Sequence, residues 1–431
     1  MKKLLVAASV LAVLTTGLFA NGQQENAAEE KVQVEVFQFK VEIVEQLDAL
    51  VADFEAENPN IDIVMDTVGG GNDYGAALRL RMASGEEPAI FNIGGQDALT
   101  EWWDFVEPLT DQPWVAKSFA GTLNGSSRNE NVYGQPYNQE GYGIMYNKAI
   151  LKQAGYSDSD LAKIDTLEEL EAVFADVEAQ KADLGVETVL SFSVGGSAWW
   201  TASIHSFNTV WANQEDPEQF IEDLLAGKEK MTGNKVFEGY LDMLDVFMNY
   251  SYDDLTTIEY NDQVSNFALG KTAFLHQGNW TIGTLQEIDP SIDVAYLPHT
   301  LGGGTYDSIP TGVPMYWSVN KNKDANVKEG AKKFLDYIAS TDRGHRFIVE
   351  ESNFIPAFEV GISPSDPLAR SIMDFSSRGK TIGWYWGSIP TGFLDSPTSP
   401  VVQAMQLYYM NRDRAEFFNI IEDGLADLIQ N

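Results

Sequence analysis

The chain has 431 residues, 44% hydrophobic and 12% aromatic, with 64 acidic against 28 basic side chains and no cysteine. That length exceeds one ordinary domain and suggests two or three, and the apolar content excludes a disordered chain. A formal charge of −36 argues against nucleic acid or an anionic membrane as partner, while the missing cysteine excludes disulfides, thiolate metal sites, a cysteine nucleophile and a lipid-modified cysteine anchor.

Residues 1–20 read as a cleaved secretory signal. Lys2 and Lys3 precede the apolar run Leu4–Leu14, too short to span a bilayer, and Gly17-Leu18-Phe19-Ala20 places the cut after Ala20. Residues 21–31 form a polar leader. Val32–Phe39 alternates as a strand does; Val41, Val44, Leu47, Leu50, Val51 and Phe54 recur at helical spacing until Asn58-Pro59 stops them; Ile61, Ile63 and Met65 alternate again. This βαβ unit opens an α/β lobe. Lys40, just after the first strand, is a candidate rim donor, though a solvated lysine is the plainer reading. Gly69-Gly70-Gly71 is a loop without phosphate-binding spacing. A helix is expected over Asp73–Ser84. Ser84–Gly95 then reads as turn, strand and a loop at the strand's carboxyl end, where open α/β sheets hold ligands. Asn92, Gln96 and Asp97 are the polar candidates there. Trp102 and Trp103 fall on a further helix, one of them in the core.

Asn131–Lys148 (NVYGQPYNQEGYGIMYNK) begins on a turn and runs through an aromatic extended segment. It ends at Asn147, a good N-cap for a helix Lys148–Ala154 closed by Gly155. Tyr137, Tyr142, Ile144 and Tyr146 suit a buried strand. Glu140 does not, because a charge there needs a partner or a function. Thr166–Glu169 is a capping box for a helix to about Lys181. Val189–Val194 is a strand leading to Gly195–Trp200, and Phe220–Leu225 and Val236–Tyr250 are helical. Val264–Leu285 then gives a helix stopped at Gly270, a strand Thr272–His276, and Gly278-Asn279-Trp280 opening another helix. Strand Asp293–Leu297, segment Ile309–Asn320 and helix Glu329–Ala339 follow, and the chain closes on an amphipathic helix carrying Phe418, Ile421, Leu425 and Leu428.

Four of these stretches resemble extracellular solute-binding protein family 1, the sugar-binding subunits of ABC importers: Asn131–Lys148, Ser84–Phe91 (SGEEPAIF), Phe267–Trp280 and Glu351–Ala357 (ESNFIPA). One departure stands out, Ala89 where the family carries Asp. The resemblance runs from Val32 onward. It implies a two-lobed α/β fold of the type-II periplasmic kind, with three crossings near Tyr137, Thr311 and Pro356. Lobe one is expected over 32–137 and 311–356, lobe two over 138–310 and 357–431. It also implies a saccharide ligand, delivery to ABC permease subunits, a monomer, and no cofactor or metal. Without an anchor cysteine, the expected place is free in the periplasm of a two-membrane cell.

Ten tryptophans suit such a ligand, since an indole face matches the C–H face of a pyranose and planar polar side chains satisfy its hydroxyls. Trp199-Trp200, Trp280 and Trp384-Tyr385-Trp386 each sit on a glycine-flanked turn; core packing is the competing explanation for any one of them. In the family the tryptophan matching Trp280 commonly stacks on sugar, which makes it the foremost candidate, with Asn279 beside it and Glu140 as hydroxyl acceptor. Catalysis finds no support in sequence. His205, His276, His299 and His345 are scattered without metal spacing, and no nucleophile elbow exists. The alternatives are a secreted carbohydrate-active hydrolase, whose carboxylate pair could hide among 64 acids, and the same fold holding a non-sugar solute or serving a membrane sensor.

Overall fold

The computed structural model describes residues 31–69, 73–119 and 121–430. The signal segment, the leader up to residue 30 and Gly70-Gly71 lie outside them. Two sheets organise the chain. The first has the strand order Ile61–Thr67, Val32–Gln38, Ile90–Ile93, Tyr316–Val319, Gln135–Pro136. Its first three strands are parallel, as the βαβ pattern requires, and Tyr316–Val319 runs antiparallel to Ile90–Ile93. The second has the order Thr381–Ile382, Ile309–Gly312, Glu140–Asn147, Thr272–Gly278, Thr188–Ser191, with Val294–Leu297 also paired to Glu140–Asn147. Helices flank both, giving the two-lobed α/β architecture expected.

Glu140–Asn147 is the axis of the second lobe. Every residue in it is buried, with Thr272–Gly278 along one edge and Val294–Leu297 and Ile309–Gly312 in tandem along the other. Burial on both faces and both edges explains the near-continuous aromatic and aliphatic run. Two glycines make the packing possible. A Cβ on Gly141 would lie 2.8 Å from Ile372, and one on Gly143 would lie 3.0 Å from the Leu297 carbonyl oxygen. Asn147 caps the following helix as expected, its Oδ1 accepting from the amides of Ala149 and Ile150.

The crossings between the lobes lie side by side. Pro136 pairs with Tyr316 in the first sheet and Glu140 with Gly312 in the second, so two crossings form one antiparallel ribbon. The expected segment Ile309–Asn320 is therefore two strands in different sheets, broken at Val313-Pro314-Met315, where proline lacks the donor to continue a ladder. Gln139 bridges to Ile355, bringing the third passage alongside. This passage leaves the first lobe later than Pro356. Phe358 belongs to the first core, Val360 and Ile362 pack against it, and helix Pro367–Ser377 is the first element back in the second lobe.

Other differences are local. Strand Thr188–Ser191 stops short of Val194 because the chain turns toward the Gly195-Gly196 loop, whose Cβ positions are filled by the backbone of Thr256–Ile258. The box at Thr166 is shifted: Thr166 Oγ1 accepts from the Glu169 amide, but Glu169 Oε2 receives the amide of Asp165. Trp102 and Trp103 follow the helix Gln96–Glu101 rather than lying on it; Trp102 is buried in the core. Among the described residues no helix is long and apolar enough to cross a membrane.

Candidate functional site

Several of the sequence-selected residues come together where the crossing ribbon meets the inner ends of both sheets. Glu140 begins the central strand of lobe two, and Lys40 follows the first strand of lobe one. Both are 4% exposed, and they form an ion pair with each other. Lys40 Nζ meets Glu140 Oε1, which also accepts from Asn138 Nδ2 at 3.2 Å. The ammonium lies 5.2 Å from the Phe354 ring on the third passage. The end of the first strand of lobe one and two of the crossing segments therefore meet at one pair of charges. Burial drives the Lys40 ammonium toward its neutral form, yet the charges of Glu140 and Glu42 and the bond to Glu140 outweigh it and raise the pKa. The charge that puzzled in sequence has its partner.

A wall of rings rises from this floor on the lobe-two side. Trp384 and Trp386 lie 4.4 Å apart between ring centroids, Trp386 lies 5.4 Å from His205, His205 4.9 Å from Trp280, and Trp280 5.8 Å from Trp200. Tyr260 continues it beyond Trp200 at 5.8 Å. Tyr142 stands behind, stacked on His205 at 4.6 Å. The wall adjoins the floor because a Cβ on Gly312, the partner of Glu140, would lie 2.5 Å from the Trp384 ring. Gly278 matters for the same kind of reason. A Cβ there would lie 2.0 Å from the Trp280 ring, so only glycine lets the indole fold back over the strand end. Trp280 Nε1 donates to Gln277 Oε1 at 3.2 Å, and Gln277 in turn donates to Gln263 at 2.7 Å, which fixes the indole plane from below.

The turn carrying Trp384 and Trp386 is held by Asn208, whose Nδ2 donates to the Gly383 carbonyl at 3.0 Å and whose Oδ1 accepts the Tyr385 amide at 2.7 Å. Beyond it the lobes touch. Thr391 Oγ1 donates to Asp97 Oδ2 at 2.6 Å, and a Cβ on Gly95 would lie 3.8 Å from the Gly387 Cα. The other candidates divide. Asn279 Oδ1 accepts the Gly141 amide at 3.0 Å and so ties the Trp280 turn to the strand that carries Glu140. Asn92 is sealed in the first sheet, accepting from the Phe39 amide at 3.2 Å and donating to the Tyr316 carbonyl at 3.4 Å. Gln96 donates to the Ser127 carbonyl at 2.8 Å. These bonds commit both amides to lobe-one backbone. Trp199 has no ring partner among the described residues, whereas Trp200 joins the wall.

Tyr260 and Asn208 carry no signal in sequence, while Tyr142 reads there only as a buried-strand residue and His205 only as one of four scattered histidines. The only signal for His205 was its place five residues after Trp200, which on a regular helix points elsewhere. Behind the wall, the Nε2 atoms of His276 and His299 lie within hydrogen-bond distance, 2.8 Å apart. Burial, then the neighbouring charges of His299 and Lys40, lower His205 to about 3; burial alone lowers His299 to about 3. No group of three or more metal-capable side chains among the described residues is placed to hold an ion.

The model of one protein family, bacterial extracellular solute-binding protein, matches residues 40–343. The chain is 24% identical over 392 residues to the Multiple sugar-binding protein of Streptococcus mutans, covering 87% of this chain and 88% of that one. It is 22% identical over 299 residues to the Melibiose/raffinose/stachyose-binding protein MelE of Bacillus subtilis, covering 67% and 66%. Among solved structures, it matches RafE in complex with raffinose with a TM-score of 0.74 at 19% identity, over 92% of this chain and 100% of that one. A chitin oligosaccharide binding protein matches with a TM-score of 0.76 at 17% identity, over 93% and 100%. With a match across most of its length and two lobes joined by adjacent crossings, the chain belongs to the bacterial extracellular solute-binding protein family.

Proposed function

We propose that this protein is the solute-capturing subunit of an ABC importer and that its solute is a mono- or oligosaccharide held between the lobes. The observation that carries the proposal is the unbroken run of rings from Trp384 to Trp200 rising beside the Glu140 carboxylate. Rings in series offer flat apolar faces to pyranoses, and a carboxylate at their foot accepts from hydroxyls. Closure about the crossings would bring lobe one over the bound sugar. The site binds without transforming: Glu140 already accepts from Lys40 and Asn138, an acceptor's position rather than a proton donor's, and the named relatives are binding proteins. The protein works as a periplasmic monomer, released by cleavage after Ala20 and docking on permease subunits. Amino-terminal sequencing of exported protein should then begin at Asn21.

A thermal-shift screen against raffinose, stachyose, xylose and chitin oligosaccharides tests the ligand class. At a hundredfold excess over Kd a bound sugar adds about 2.7 kcal/mol of stability, a shift of a few degrees. No response from any saccharide would overturn the proposal, and steady release of shorter sugars would identify a hydrolase instead. With a sugar that binds, Trp280→Ala is expected to weaken affinity about ten- to a hundredfold by calorimetry, from a stacking contribution of roughly 1–3 kcal/mol. The melting temperature without sugar should stay near normal, because the indole is only half-buried. A large fall in melting temperature with binding intact would make Trp280 a packing residue.

A further inference from the structure

His205 sits in the middle of the ring wall, and the local backbone is distorted to put it there. Thr201–Ser206 is a π-helical turn between Trp200 and the α-helix Phe207–Ala212. In an α-helix, residues five apart are rotated about 140° from one another and face different ways. An i→i+5 turn stacks them on one face. That is why the Trp200 and His205 rings meet edge to face, 5.0 Å apart at an interplanar angle of 90°. The turn is pinned by Ser203 Oγ, which donates to the Leu394 carbonyl at 2.9 Å. Regular helix is given up, and an imidazole joins the wall.

The two nitrogens of that imidazole differ. Nδ1 is sealed from solvent with no hydrogen-bond partner. Nε2 is not among the sealed atoms, has no partner among the described residues, and belongs to a residue that keeps 9% of its surface. A buried N–H without an acceptor is costlier and rarer than a buried lone pair, so the proton belongs on Nε2. We infer that His205 is a specificity-determining residue of the saccharide site, donating through Nε2–H to a hydroxyl or ether oxygen of a sugar lying along the wall. The inference rests on the saccharide reading above. It gives the wall a donor to complement Glu140, an acceptor: a sugar hydroxyl that gives its proton to Glu140 leaves oxygens for His205 to read. Burial keeps the ring neutral at ordinary pH, so the contact selects an oxygen lone pair rather than a negative charge.

Two measurements test it. In protein carrying nitrogen-15 histidine, with the His205 signal assigned from its loss in His205→Gln, the long-range proton–nitrogen pattern should show the Nε2–H tautomer at pH 7. The Nδ1–H tautomer would overturn the inference whatever sugars do. Calorimetry with raffinose, stachyose and chitin oligosaccharides then compares two variants. His205→Phe keeps a ring in the wall but removes the donor, and should weaken whichever sugar binds by about three- to tenfold. His205→Gln restores an N–H near the Nε2 position and should recover most of that loss. Unchanged affinity in His205→Phe would refute the role of His205 while leaving saccharide binding standing. Failure of every sugar to bind the unmodified protein would remove the saccharide reading, and this inference with it.

Discussion

Lowering the pH from 7 to 4.5 is expected to cost the fold about 5 kcal/mol through His205 and His299 alone. Both imidazoles have folded-state pKa values of about 3, against an ordinary value of 6.5. The sign follows from proton counting. Between those values the unfolded chain binds protons that the folded chain refuses, so stability is present above pH 6.5 and is lost as pH falls toward 3. Each histidine contributes about 1.4 kcal/mol per pH unit across that window. His276 is displaced in the same direction, by burial first and then by His299 and His205. Among the described neighbours, relief comes only from a backbone hydrogen bond at His276, which burial outweighs. Lys40 adds a like charge to His205. The remaining neighbours are the uncharged rings of Tyr142, Trp200, Trp280, Trp384 and Trp386 around His205, and of Phe192 and Phe247 around His276. A total of 5–15 kcal/mol is usual for a whole domain, so the loss is large.

The raw pH curve will not show this cleanly, because 64 acidic residues are also neutralised over the lower part of the range and their mutual repulsion relaxes. The comparison that isolates the imidazoles is between the unmodified chain and His205→Gln or His299→Gln, by urea unfolding at intervals from pH 7 to 4.5. Each variant should lose about 1.4 kcal/mol per pH unit of the slope between pH 6 and 4. Parallel curves for variant and parent would mean that the imidazoles take up protons in the folded state, and that the cluster is open to water.

The contrast between Trp280 and His205 shows what the sequence could disclose. Trp280 stood out in sequence because it follows a strand through a Gly-Asn turn and matches the family's motif there, so its position follows from local pattern. Glu140 was legible as an anomaly, a lone charge in an apolar run. Its explanation lay a hundred residues away in Lys40, beyond the reach of any local pattern. His205 depends on a single π turn, which no periodicity announces. His276 and His299 are 23 residues apart in sequence and meet only because one lies on a buried strand and the other follows the strand paired to the far edge of the same neighbour. Asn92 misled for a related reason: a polar residue at a strand's carboxyl end suits a ligand, but here the adjacent backbones of Phe39 and Tyr316 claim it. The third crossing is expected near Pro356 from the resemblance of ESNFIPA to the family's segment; there Ile355 packs with the second lobe while Phe358 still packs in the first core.

Breaking the Lys40–Glu140 pair from either side should cost about 3–5 kcal/mol, since each partner would leave the other as an uncompensated buried charge. The two side chains are 4% and 6% exposed, so water cannot easily replace the missing partner. Lys40 has no other carboxylate within bonding distance among the described residues, and Glu140 retains only the Asn138 amide. Replacing both at once, as Lys40→Met with Glu140→Leu, removes both desolvation penalties and should restore stability to near the parent value. The double variant should therefore be several kcal/mol more stable than either single one, a coupling that chemical denaturation measures directly. Saccharide affinity should not return with it, because the acceptor at the foot of the ring wall is gone whether or not the fold is sound. That separates the structural role of the carboxylate, tying two crossing segments to the first strand, from its proposed role of reading a hydroxyl. Should each single variant cost less than about 1 kcal/mol, the range of a solvated surface pair, the floor must be open to water much of the time, and the crossings hinge around a pair that does not hold them.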